Sequence, residues 1–286
     1  MSQIIEPATL GKNSFLTDVL LPMNDAHVHE GITFMTTGFT AHKSAKTVAA
    51  AGGMYDSLFE TFERTWSALQ SFKAMSNPKE DVVLEMGCAD MSLYGTFKSI
   101  RFYPNYIGVD IRRDYLLRSN YKSRPDAFGL CADLMQPLPI KDSSISVIVI
   151  SEVVEHLTHE QNLTAFKEAH RILRPGGKIL VSSPFNTRTR QFHDLEKEKN
   201  LGHVFFWDVE QFEEDMSTIG FTSVDMKWGY SISSKIRSAE VKKSLPPDVA
   251  KFLDDVSEMY GSRVARALAL SAPGVVNGGG RFVVTK

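Results

Sequence analysis

Only two cysteines, Cys88 and Cys131, occur among 286 residues. That excludes a disulfide framework and a four-cysteine zinc site. No apolar run reaches 18 residues, and no basic start leads into an apolar stretch. Neither a membrane span nor a cleaved leader is therefore expected, and the protein reads as soluble and cytoplasmic. Charge of either sign is not in excess: 32 Lys and Arg face 34 Asp and Glu, for a net charge of −2. A protein that grips a long nucleic acid by its phosphates is usually more basic, which weighs against such a partner while leaving a local patch open. Internal repeats and low-complexity tracts are also absent. What remains is an ordinary globular chain, long enough for one large domain or a domain with a cap.

Residues 1–40 show no clear period. From about Ala41 to Met75 apolar residues recur at helical spacing: Leu58, Phe59, Phe62, Trp66, Leu69 and Phe72. Ser76-Asn77-Pro78 breaks the run. The expectation is a helical N-terminal cap over 1–77. After Pro78 short apolar runs alternate with amphipathic ones. DVVLEM (81–86), NYIGVD (105–110), AFGLCAD (127–133), ISVIVIS (145–151) and GKILVSS (177–183) read as buried strands. Intervening helices, such as 161–173, imply βαβ units and a parallel sheet. TSVDMKW (222–228) and RFVVT (281–285) supply two late strands, with a helical insertion between them at about 229–279.

In an open parallel sheet, ligands meet the carboxyl ends of the strands. Past the first buried strand lie Glu85, Gly87, Cys88, Ala89 and Asp90. Past the second lies Asp110, followed by Ile111. Asp133 lies past the third, and Ser151 and Glu152 past the fourth. An acid at the position of Asp110 accepts hydrogen bonds from ribose hydroxyls. Asp133 stands where it can accept from an adenine amino group. The competing reading of Asp110 is a helix N-cap.

VVLEMGCADM, YIGVDI, CADLMQPLPIKDSSISVIVISEVVEHL and FKEAHRILRPGGKILVSSP together resemble, in order and spacing, the class I S-adenosylmethionine-dependent methyltransferases, and within them the small-molecule type. The resemblance covers about residues 80–228 plus the terminal strand. It implies an α/β, Rossmann-like, doubly wound sheet of seven strands, mostly parallel with the last antiparallel. It implies S-adenosylmethionine as cofactor and S-adenosylhomocysteine as product. It also implies that Gly87 admits the methionine part, that Asp110 holds the ribose and Asp133 the adenine, that Leu134 packs on the ring and that Ser151 lies near the sulfonium. The family's glycine turn, G-x-G-x-G, is thinned here to Gly87-Cys88-Ala89-Asp90-Met91, with Met91 expected to open the next helix. The acid often found early in the fourth strand is Ser146.

The implied reaction is in-line methyl transfer to a small-molecule acceptor, with the helical cap and the insertion forming its pocket. A base is needed if the acceptor is a hydroxyl or an ammonium. His203 is the leading candidate and His193 the second, both in the long connection 184–207. That connection also carries Asn186, Arg188, Arg190 and Asp194, and Arg188 and Arg190 are read as solvated. His156 is read as structural. No metal is assigned. NDAHVHEG (24–31) has the His-x-His spacing of a metal-dependent barrel hydrolase, but further ligands and eight βα units would be required. Lys98, Arg101, Arg112, Arg113, Arg118, Lys122 and Arg124 form a basic stretch, read as a solvated helix face rather than a nucleic-acid patch. A nucleic-acid methyltransferase and a non-catalytic methyltransferase-like scaffold stay open as alternatives. Oligomeric state is not legible.

Overall fold

A computed structural model describes residues 15–21, 26–29, 32–35, 66–120, 124–189, 191, 193–229, 247–248, 251, 255 and 279–286. The strands are β1 (Ala26–His29), β2 (Ile32–Met35), β3 (Val82–Met86), β4 (Asn105–Asp110), β5 (Ala127–Cys131), β6 (Ile145–Ser151), β7 (Leu173–Pro184), β8 (Ser223–Gly229) and β9 (Gly279–Thr285). The helices are α1 (Leu16–Val19), α2 (66–74), α3 (Ser92–Ser99), α4 (Arg113–Arg118), α5 (His159–Ile172), α6 (Leu195–Glu198) and α7 (Val209–Ile219).

The strands form one sheet in the order β1-β2-β5-β4-β3-β6-β7-β9-β8. Its seven-stranded core runs β5-β4-β3-β6-β7-β9-β8. The first five of these strands are parallel, and β9 pairs antiparallel with both β7 and β8. This is the α/β architecture that the strand pattern and the resemblance imply. The strand order reverses between β3 and β6, the switch point at which open α/β sheets bind ligands.

The sheet has one departure at its edge. Within the stretch expected to be a helical cap, β1 and β2 form a hairpin, and β2 extends the sheet in parallel beside β5. The helical cap expected over 1–77 is corrected there to include a hairpin, within the residues that show no clear period: four-residue strands take their order from the edge they dock on. The expected helices over 41–65 and most of the insertion at 229–279 lie outside the described residues. In α2 the buried positions are Ser67, Ala68 and Ser71, with Met75 buried just after it, while Leu69 and Phe72 are exposed. Two residues of the expected apolar stripe, Leu69 and Phe72, thus lie outward, while Trp66 packs partly buried against the core.

Every residue of β3 and β5 is buried, as a sheet covered on both faces requires. Alternation divides the core into two layers. Val82, Leu84 and Met86 face the layer of Phe166, Trp207, Phe212 and Phe282. Val83 faces the layer of Tyr94, Phe97 and Tyr106. Helix α5 begins two residues earlier than the apolar period suggests, because Thr158 and Gln161 form a capping box. It then passes directly into β7. The register slips between Ile145↔Leu173 and Val147↔Lys178, so Arg174–Gly177 bulge out of the ladder.

The amino ends of the strands are tied by a buried acid. Asp81 accepts from Ser146 Oγ at 3.0 Å, Arg174 Nη1 at 2.5 Å and Asn77 N–H at 3.0 Å. Ser146, standing where an acid is often found, thus joins β6 to the start of β3.

Candidate functional site

The turn after β3 decides what the missing glycines mean. Gly87, Ala89 and Met91 all have left-handed backbone, with φ of +80°, +46° and +61°. The chain follows the path of a glycine-rich turn although two glycines are gone. For an L-residue that conformation costs roughly 1–2 kcal/mol. The turn holds because both flanks are fixed. Gly87 N–H and Cys88 N–H donate to Val109 O at 2.8 and 3.0 Å, and Met91 N–H donates to Cys88 O at 2.8 Å. Met91, expected to open α3, instead precedes it in left-handed backbone, fully buried. Gly87 itself is irreplaceable on space as well as conformation, since a Cβ there would lie 2.4 Å from Val153 Cγ2. Gly108, in β4, is what allows the cysteine: a Cβ at 108 would meet Cys88 Sγ at 2.7 Å. The Cys88 thiol therefore points into the core, and burial pushes its pKa well up. Only its main chain fronts the turn.

Asp110, 9% exposed, closes the site. Its Oδ2 accepts Ala89 N–H at 2.8 Å and its Oδ1 accepts Arg112 N–H at 2.7 Å. Burial raises its pKa, opposed by these two hydrogen bonds. It is not the cap of the next helix, because α4 is preceded by Arg112 and has no side-chain cap. A carboxylate offers about four acceptor positions, so each oxygen retains capacity for a hydroxyl donor. Ile111, next in the chain, accepts the Cys131 thiol on its carbonyl at 3.7 Å. Ala132 N–H donates to Asp110 O at 3.1 Å, which brings Asp133 alongside. Asp133 Oδ1 accepts Met135 N–H at 2.9 Å, and Leu134 packs partly buried against the core.

Glu85, 6% exposed, bonds to the Tyr106 hydroxyl beneath the turn. Ser151 Oγ lies 2.8 Å from Ser182 Oγ, and Ser182 Oγ lies 3.2 Å from Glu152 Oε1. Glu152 is also left-handed, φ +54°, and its N–H donates to Ser182 O.

The candidate histidines lie in the connection after β7. Its ends meet at an Asn186↔Asp208 bridge, and Asn186 Oδ1 accepts His193 N–H at 2.9 Å. Val204 N–H donates to Glu155 O at 2.8 Å, pinning the connection to the short 3-10 helix Val154–His156. Both candidate histidines converge on one carboxylate that the sequence reading did not single out. His193 Nδ1 lies 3.0 Å from Glu198 Oε1, and His203 Nδ1 lies 3.1 Å from Glu198 Oε2. Burial works to raise the Glu198 pKa, yet the two imidazoles bring it down to about 2. Both rings pack against Phe206, and His156 lies 5.1 Å from His203, ring to ring. In sequence Glu198 sits inside DLEKEKN, indistinguishable from a solvated charge run. A cavity of about 690 Å³ opens beside His193, lined also by Asn186, Asp194, Lys197, Phe205 and Asp208.

Other expectations find their places. Arg188 pairs with Glu214 at 2.5 Å, on the surface, and Arg190 lies outside the described residues. The basic stretch is partly paired: Arg112 and Arg118 both bind Asp114, and Arg124 faces Asp126. His27 and His29 belong to β1, the outer strand of an open sheet, so no barrel frames them. Among the described residues no helix is long and apolar enough to cross a membrane.

Residues 84–181 match the family described as a methyltransferase domain. A protein of Mycolicibacterium smegmatis named as a probable S-adenosylmethionine-dependent methyltransferase is 32% identical over 143 residues, 50% of this chain and 52% of that protein. The match thus spans about half the length of that relative. A Haemonchus contortus phosphoethanolamine N-methyltransferase 2, solved with phosphomonomethylethanolamine and S-adenosylhomocysteine, superposes with a TM-score of 0.55 at 16% identity, over 86% of this chain and 60% of that one. A complex of the Haloferax volcanii Trm112 activator with a methyltransferase also gives a TM-score of 0.55, at 15% identity, over 81% of this chain and 92% of that one. Residues 84–181 thus match a methyltransferase domain, and the described sheet shares the fold of these two solved structures.

Proposed function

We propose that this protein is an S-adenosylmethionine-dependent methyltransferase that acts on a small-molecule acceptor and releases S-adenosylhomocysteine. The observation that carries the reading is the Asp110 carboxylate bonded to Ala89 N–H across a turn that keeps left-handed backbone at 87, 89 and 91. A remnant turn has no reason to retain two left-handed non-glycine residues. The residues fit the cofactor. Gly87 lets the turn pass close to Val153, where a Cβ would collide, and Asp110 has acceptor capacity left for ribose hydroxyls. Asp133 has an oxygen that accepts no hydrogen bond among the described residues, and so suits an adenine amino group. Leu134 offers an apolar face for the base, and Ser151 and Glu152 flank the methionine end. Glu85 supports the turn from below through Tyr106.

When bound, the cofactor supplies an already activated methyl group, so the chain's task is alignment and exclusion of water. His203 and His193 are held by Glu198 with Nδ1–H donated to the carboxylate. His203, held through Nδ1, can then turn Nε2 toward an acceptor, as proton acceptor or positioning group, with His193 beside it on the same carboxylate. The cavity beside His193 has the size of small-ligand sites. Three arginines of the basic stretch are paired with aspartates, which supports a small acceptor over nucleic acid.

Calorimetric titration with S-adenosylmethionine and S-adenosylhomocysteine tests the reading, with Asp110→Ala as control. Micromolar binding that the variant loses is expected. Absence of binding to cofactor-free wild type would leave only a scaffold role.

A further inference from the structure

We propose that Glu155, His156 and His203 form a site for one divalent cation of the imidazole-binding kind, Zn²⁺, Co²⁺, Mn²⁺ or Fe²⁺, placed next to the methyl-transfer crevice. One ligand atom from each of these residues lies within 4.8 Å of the other two. Two imidazoles and a carboxylate are the donor set these metals take while keeping positions open for an exogenous ligand.

Three further features separate this cluster from a chance meeting of polar side chains. The first is histidine tautomer. His156 Nδ1 lies 3.1 Å from Gly202 O, and a carbonyl only accepts, so Nδ1 carries the proton. His203 Nδ1 lies 3.1 Å from Glu198 Oε2, a carboxylate oxygen that accepts. In both rings the lone pair is therefore left on Nε2. An outer acceptor that holds Nδ1–H and frees the other nitrogen is the arrangement metal-binding histidines use. The second is charge. Glu155 is 2% exposed, and its carboxylate takes one hydrogen bond, from Ser183 Oγ at 2.8 Å. No Lys or Arg pairs with it among the described residues. Buried carboxylates are ordinarily paired or bound to metal. The third is access: His156 is exposed, so an ion has an entry path.

The position suits a role in the proposed reaction, and to that extent this inference rests on the methyltransferase reading. Val153, two residues before Glu155, is the side chain that a Cβ on Gly87 would strike. The 3-10 helix bearing the cluster thus starts against the cofactor turn. An acceptor hydroxyl bound at an open position of the cation becomes more acidic. Its proton passes to water, the oxygen–methyl bond forms, and the sulfur–methyl bond breaks with its electron pair kept on sulfur. His203 then serves as a ligand, and the acceptor class narrows to oxygen-bearing molecules that can also bind a cation.

The test uses the full chain, stripped with chelator and titrated with Co²⁺ while the visible d–d absorption is followed. One equivalent is expected, displaced by Zn²⁺, with affinity lowered about 10–100-fold in His156→Gln and in His203→Gln. His159→Gln, a histidine bonded instead to Asp215 at 2.7 Å, is expected to bind as wild type does. His156 is exposed, so its substitution leaves the core intact. No Co²⁺ or Zn²⁺ bound by wild type, or binding indifferent to both cluster variants, overturns the proposal. S-adenosylhomocysteine titration of the same samples keeps the two readings apart: cofactor binding without metal binding sinks this inference alone, and metal binding without cofactor binding sinks the methyltransferase reading.

Discussion

Asp110 Oδ2 accepts the backbone N–H of Ala89 at 2.8 Å, joining the end of the second core strand to the turn after the first. The same carboxylate takes Arg112 N–H on its other oxygen. Removing it strands two backbone donors in a nearly buried site. Asp110→Ala is expected to lower stability by about 1–3 kcal/mol and to raise the Kd for S-adenosylhomocysteine by more than about tenfold. Denaturant unfolding and calorimetry read the two effects. Asp110→Asn, which keeps one acceptor, should fall between.

The left-handed turn yields two opposite expectations. Ala89→Gly removes roughly 1–2 kcal/mol of backbone strain and adds about 0.5–1 kcal/mol of unfolded-state entropy. A gain of up to about 1 kcal/mol in urea unfolding should result, with cofactor affinity retained. Gly87→Ala must fit a Cβ at 2.4 Å from Val153 Cγ2 at φ +80°, and should lose both stability and cofactor binding. Equal behaviour of the two variants would contradict the turn geometry.

Glu198 should hold both histidines in one tautomer. Two downfield Nδ1–H resonances are expected in proton NMR of the wild type, and both should vanish in Glu198→Ala. The cofactor Kd should stay within about twofold, because Glu198 bonds the two histidines and not the turn or Asp110. Persistence of either resonance would mean that its histidine has another acceptor.

The Asp81–Arg174 pair gives a pH signature. Burial works to raise the Asp81 pKa, yet its hydrogen bonds from Asn77, Arg174 and Ser146 bring it below its ordinary 3.8. A lowered carboxylate pKa adds stability above pH 3.8, and that contribution is lost as pH falls through the folded-state value. Arg174→Ala should cost about 2 kcal/mol at neutral pH, less than a fully buried pair because the guanidinium is partly exposed. The gap to wild type should shrink below pH 3.8, as followed by thermal or urea unfolding.

The core of the sheet was legible in the sequence because its signals are local. Strands buried on both faces appear as short apolar runs, and β4 and β6 begin and end where the runs do. Asp110 was legible because a strand end fixes its place in the crevice. The β1–β2 hairpin was not, since strands of four residues carry no period and take their order from the edge beside β5. The outward turn of Leu69 and Phe72 was hidden for a related reason. Helical spacing tells which residues share a face, but only packing tells which face is buried.

What the sequence determined by itself was the order of strands and helices, the carboxyl-end acids and the thinned glycine turn, all set by neighbours a few residues away. What only the tertiary structure decided was whether Ala89 and Met91 could keep the left-handed path, and that Glu198, His193, His203, His156 and Glu155 share one corner. Those meetings join residues up to 48 apart, through a connection closed by the Asn186↔Asp208 bridge and the Val204–Glu155 hydrogen bond. Local composition carries no record of which loop residues such a closure brings face to face.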